Sequence, residues 1–161
     1  MNKHTELIVK MSLDAWNSNV KKMTATFDGM SDEQMMTEIA PGKNRPVYLL
    51  GHIAAVHDRM IPLMGLGERK LEHLDNAFLA SPDKTISEIP SIAELRTAYN
   101  EANATLDKHF STLSAADWFA KHTAVSDEDF AKEPHRNKLN ILNSRAGHVA
   151  YHQGQLALVK K

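Results

Sequence analysis

At 161 residues, with 19 Lys and Arg against 20 Asp and Glu for a formal net charge of -1, the chain fits one domain over 1–161 built on one hydrophobic core. Its 42% hydrophobic and 24% charged residues are globular proportions, and its basic residues form no block of the kind that binds DNA or RNA, so no nucleic-acid partner is expected. Cysteine is absent, which excludes disulfides, thiolate metal sites and a cysteine nucleophile; any metal must rest on His, Asp or Glu.

No apolar run reaches the roughly 18 residues that a membrane-crossing helix needs, and MNKHTELIVK lacks the pattern of a signal peptide, so a cytoplasmic protein with no membrane partner is expected. Spacings of three and four recur where two-residue alternation does not, which predicts an all-α chain with four long helices. The first runs over about 5–27, with Leu7, Met11, Leu13, Val20, Met23 and Phe27 at helical spacing, and stops at Asp28-Gly29. Ser31-Asp32-Glu33-Gln34 has the form of a capping box, in which the serine accepts from the third amide and the glutamine reaches back, so a short helical turn follows.

Pro41-Gly42-Lys43-Asn44-Arg45-Pro46 breaks the chain, and Pro46 suits the first turn of a second long helix over about 46–64, ended by Gly65 and Gly67. Residues 66–90, with Pro82 and Pro90, read as a long connection with partial helix around 69–74. Ser91-Ile92-Ala93-Glu94 repeats the capping box and opens a third helix to about 113, whose apolar stripe is Leu95, Ala98, Tyr99, Ala102, Leu106 and Phe110. Pro134 forbids an unbroken helix across 114–137, a connection anchored by Trp118, Phe119 and Phe130. The last helix covers about 138–160, its terminal lysines matching the negative end of the helix dipole. Four long helices with two long connections suggest a bundle. Met11, Met23, Met35, Met36, Met60 and Met64 read as core filler, and Trp16 and Trp118 as packing anchors.

The chemistry concentrates in GHVAYHQGQL, residues 147–156. His148 and His152 lie about 40° apart around a helix and about 6 Å apart along it, so they can converge on one ion. Ile141, Arg145, Leu156 and Val159 share their sector, which turns both imidazoles toward the interior. His52, in the second helix, shares a face with Leu49, Val56, Met60 and Leu63 and also points inward. Three neutral imidazoles from two facing helices make an open site for a divalent metal. Core histidines satisfied by hydrogen bonds are the competing reading, although three buried imidazoles without a shared purpose are costly to desolvate. His57 is about 140° around the helix from His52 and is treated as peripheral; His4, His73, His109, His122 and His135 read as solvated or capping residues.

A zincin helix reads HExxH, with glutamate next to the first histidine, whereas Val149 stands there in this chain and disfavours metalloprotease chemistry. No GxSxG element, P-loop or GxGxxG stretch occurs.

Leu50-Gly51-His52 early in the second helix, with His148, Tyr151, His152, Gly154, Gln155 and Leu156 in the last, resembles the DinB/YfiT-like family of metalloenzymes. Met30-Ser31-Asp32-Glu33-Gln34 and Pro41-Gly42-Lys43-Asn44 extend the resemblance over nearly the whole chain. It implies a four-helix bundle of up-down-down-up topology, a divalent metal, often nickel or zinc, on His52, His148 and His152, and a homodimer. It also implies thiol chemistry, with a low-molecular-weight thiol as cosubstrate of an S-transferase or of a thiol-dependent isomerase, and an S-transferase acting on small electrophiles is the expected reaction. Metal-dependent hydrolysis and a non-catalytic, metal-binding stress-response protein remain as alternatives. Arg45, Tyr48, Leu49, Arg145 and Gln155 are candidate pocket residues, and no catalytic residue is assigned.

Overall fold

Serine and asparagine side chains decide where most of the helices begin. In the computed structural model, which describes residues 3–159, these are α1 (Lys3–Asp28), α2 (Asp32–Met36), α3 (Pro46–Leu63), α4 (Ile92–Phe110), α5 (Ala115–Phe119), α6 (Asp127–Lys132) and α7 (Lys138–Leu156). Ser31, Ser91 and Ser114 each close a full capping box on α2, α4 and α5, while Ser126 and Asn137 cap α6 and α7 through a single amide. Pro46 occupies the first turn of α3, where its missing N–H costs nothing. The fold is all-α: among the described residues the only β-type pairing is an isolated bridge between Lys121 and Asn137.

The expected boundaries need four adjustments. The partial helix expected around 69–74 is a 3-10 turn over Glu72–Leu74, and a π-helical turn over Asn76–Ala80 follows it. The third long helix stops at Phe110, and the last at Leu156; Lys160 and Lys161, with their expected dipole contact, lie outside the described residues. The connection over 114–137 contains two short helices, with Trp118 buried as its anchor and Phe119 exposed. On α1 the buried positions are Val9, Trp16, Met23 and Phe27, a seven-residue and four-residue progression, whereas Leu7 and Met11 face outward. Met36 is likewise exposed, while Met23, Met35, Met60 and Met64 fill the core.

The side chain of Asn19 donates to the Ala146 carbonyl at 3.0 Å, and that of Gln153 donates to Thr26 Oγ1 at 2.8 Å. Position numbers rise together along the two helices, so α1 and α7 run side by side in the same direction. Packing contacts group the long helices as α1 with α7 and α3 with α4, and the apolar residues between the pairs form one cluster that includes Trp16, Leu50, Ile53, Leu106, Leu142 and Val149. Each fully buried Leu, Ile or Val contributes about 1.5–3 kcal/mol relative to exposure.

Two buried aspartates strap the 66–90 connection onto α3. Asp58, 1% exposed, accepts from the Lys70 and Leu71 amides at 2.9 and 3.0 Å and from Arg69 Nε at 3.0 Å. Asp83 accepts from the Arg45 amide at 2.8 Å and pairs with its guanidinium at 2.7 Å, while Tyr48 donates its hydroxyl proton to the Ser81 carbonyl at 2.8 Å. Fastened at both ends, the connection carries its π-helical turn across the face of α3.

Candidate metal centre

Gly51 is the residue that lets this turn approach. A Cβ placed there would lie 2.5 Å from the Phe78 ring, well inside van der Waals contact. Glycine in the middle of a helix costs about 1 kcal/mol relative to alanine; here it admits the ring, and the Phe78 carbonyl then meets the next side chain on α3. His52 donates its Nδ1 proton to that carbonyl at 2.9 Å. The Gly51-His52 pair is therefore one device: the first residue makes room for the acceptor that orients the second.

On α7, His152 donates from Nδ1 to Gln155 Oε1 at 2.7 Å, and the amide is held in that orientation by donating from Nε2 to the Tyr151 hydroxyl at 3.1 Å. With the Nδ1 positions of His52 and His152 protonated, both Nε2 atoms carry lone pairs. Both point at His148 Nε2, at distances of 3.1 Å from His52 and 3.0 Å from His152. A proton on His148 Nε2 can serve only one of the two, so three facing nitrogens are best reconciled by a shared cation. The three ligand atoms lie within 4.8 Å of one another, on two half-buried residues and one buried one. Two nitrogens each about 2.1 Å from one ion stand about 3.0–3.4 Å apart, so the donor type and spacing fit a single divalent metal.

Electrostatics keeps the site ready for a cation. Burial lowers the pKa of all three histidines, and the neighbouring imidazoles and Arg145 push His148 down to about 3. Neutral imidazole is the ligand form, so no proton has to leave these residues near neutral pH before metal enters. No acidic side chain contributes to any of the three shifts.

The candidate pocket residues divide. Tyr48 stacks on His52 with ring centroids 6.2 Å apart and planes 13° from parallel. Gln155 orients His152, and Arg45 is committed to Asp83. Leu49 is fully buried in the core. Arg145 is half-buried with its Nε sealed and without a partner. Val149 is buried among the core residues, and no carboxylate stands in its place. His57 stands apart from the three converging histidines, as its angle on α3 predicts, and is fully buried: it donates from Nδ1 to Asn103 Oδ1 at 2.8 Å and rests against Trp16 with centroids 4.9 Å apart. His122 is also buried, its Nδ1 accepting from the Ala124 amide at 3.2 Å in a local turn.

The Phe78 carbonyl is the part of the centre that side-chain patterns miss. A backbone acceptor 26 residues from His52 leaves no mark on periodicity, and the only hint is a glycine inside a helix directly before a histidine. Asp58 and Asp83 were equally invisible, since a buried carboxylate reads like any surface one until its partners are placed.

The profile of the DinB superfamily matches residues 15–156, a span that contains all three histidines, both aspartate straps and the Phe78 turn. Comparison with curated proteins gives no match. With the match covering most of the chain and ending at the last residue of α7, the protein belongs to the DinB superfamily.

Proposed function

We propose that His52, His148 and His152 bind one divalent metal ion, zinc or nickel, and that the protein is a thiol-dependent S-transferase acting on small electrophiles. The observation that carries the first part is the convergence of three Nε2 atoms, two of them fixed as lone-pair donors by Phe78 and Gln155. The bound ion supplies Lewis acidity that lowers the pKa of a thiol and favours its thiolate. The chain supplies orientation and a dry wall: Tyr48 covers one face of His52, and Phe78 and Gln155 hold the imidazoles in the ligand tautomer. The Arg145 charge, which disfavours protonation of His52 and His148, also favours an anion beside them.

Hydrolysis is the second reading, and the surroundings of the site count against it. A water nucleophile calls for a general base, yet the charges acting on the three histidines come from other histidines and from Arg145, never from an aspartate or glutamate. A thiol of lowered pKa needs no such base. A binding protein without turnover is the third reading. The helices are read as an up-down-down-up bundle, which the parallel run of α1 and α7 supports, and the protein as a cytoplasmic homodimer.

Elemental analysis of natively purified protein is expected to give one metal per chain, lost in His148→Ala and His152→Ala; protein that stays metal-free in excess zinc and nickel sinks the reading. Electrophile consumption that requires added thiol supports transfer. Consumption without thiol assigns hydrolysis, and none at all leaves a binding protein.

A further inference from the structure

Arg145 sits three residues before His148 and seven before His152, about one and two turns away on the same face of α7. That spacing puts Arg145 on the face of α7 that carries both histidines, and its positive charge disfavours protonation of His52, His57 and His148. Its Nε is sealed from solvent and makes no hydrogen bond. Among the described residues the guanidinium joins neither a hydrogen bond nor an ion pair, while every other half-buried arginine has a carboxylate: Asp83 for Arg45, Asp58 and Asp75 for Arg69, Asp28 for Arg96, and Glu133 for Arg136. Burial alone acts on Arg145, disfavouring its charge, with no acidic neighbour to offset it.

A half-buried cation without a counter-charge gives up hydration that no attraction offsets. A planar fork of donors matches a carboxylate in a bidentate manner, which a point-charge lysine cannot reproduce. We propose that Arg145 is the anion-binding residue of the centre and that the small molecule taken there carries a carboxylate, gripped by Arg145 while its reactive end faces His52, His148 and His152. The proposal rests on the metal-site reading for the reactive end and on the chain's own charge distribution for the anionic one. Arg145 is thus a specificity residue: it selects anionic electrophiles over neutral ones of the same shape.

The test uses isotope-labelled full-length protein, both zinc-loaded and metal-stripped, titrated with sodium acetate, neutral acetamide and inorganic phosphate. Backbone amide shifts around positions 145–148 are followed by NMR, with zinc content measured on the same samples. Acetate is expected to produce a saturable shift that acetamide does not, about tenfold weaker in Arg145→Lys and absent in Arg145→Gln. An equal acetate response in either variant overturns the proposal, and so does saturation by phosphate where acetate gives none. Arg145→Lys keeps a cation in place, so a folding failure of the glutamine variant leaves the comparison standing. One equivalent of zinc with no acetate response overturns this proposal alone. An Arg145-dependent acetate response in protein that takes no zinc supports it while overturning the metal reading.

Discussion

Gln155 shows how much a single side chain can contribute without touching the proposed ion. Its carbonyl oxygen accepts the His152 Nδ1 proton at 2.7 Å and so keeps Nε2 free as a lone-pair donor. Gln155→Leu is expected to lower metal affinity by about 10- to 100-fold, read by competition with a chromophoric chelator, with the fold retained. Acid acts on the same scale. Burial lowers His57 to about 4 and His148 to about 3, against an ordinary value of 6.5. As pH falls below about 6.5 the unfolded chain takes up protons that the folded chain refuses, so folding stability is full above that pH and is lost as pH falls toward about 4. The urea midpoint of metal-free protein is therefore expected to drop between pH 7 and pH 4.5, and less steeply in His57→Leu. An unchanged slope in that variant would show that His57 is not a source of the effect.

Among the elements, α3 and the π-helical turn Asn76–Ala80 form the most demanding junction, since the Phe78 ring occupies the space a side chain at position 51 would need. Gly51→Ala is expected to cost about 1–3 kcal/mol through overpacking, seen in denaturant unfolding, and to weaken metal binding by displacing the Phe78 carbonyl from His52. The penalty should shrink in a Phe78→Ala background, because the two positions share one space; additive losses would disprove the steric account. Helix starts carried their own signals. The Ser31 and Ser91 capping boxes are readable from four letters each because a cap involves only neighbours in sequence. The π-helical turn over Asn76–Ala80 carried no such signal, because the connection that bears it is held by Asp58, Arg69 and Asp83, partners distant in the chain.

Across the whole molecule, the three histidines join two helix pairs, α1 with α7 and α3 with α4, through one point between α3 and α7. An ion bound there cross-links the halves and is expected to raise the melting temperature, by about 2.7 kcal/mol of added stability at a hundredfold excess over its Kd. Differential scanning calorimetry with and without zinc checks this, and His52→Ala should abolish the rise, since two ligands on one helix join nothing. A rise that persists in His52→Ala would locate the stabilising metal elsewhere.

Read alone, the sequence determined the all-α class, the four long helices, the capping boxes at Ser31 and Ser91 and the three inward histidines. Each of these depends on periodicity or on contacts within one turn. It misjudged Leu7 and Met11, whose spacing fits a stripe that turns outward in the fold, and Leu49, which shares a helix with the centre but packs into the core. Tertiary structure alone decided the distances between the three Nε2 atoms, the tautomers set by the Phe78 carbonyl and Gln155, and the absence of a carboxylate near Arg145 among the described residues. Helical geometry can aim a side chain at an interior; which groups meet it there depends on how helices far apart in sequence pack together.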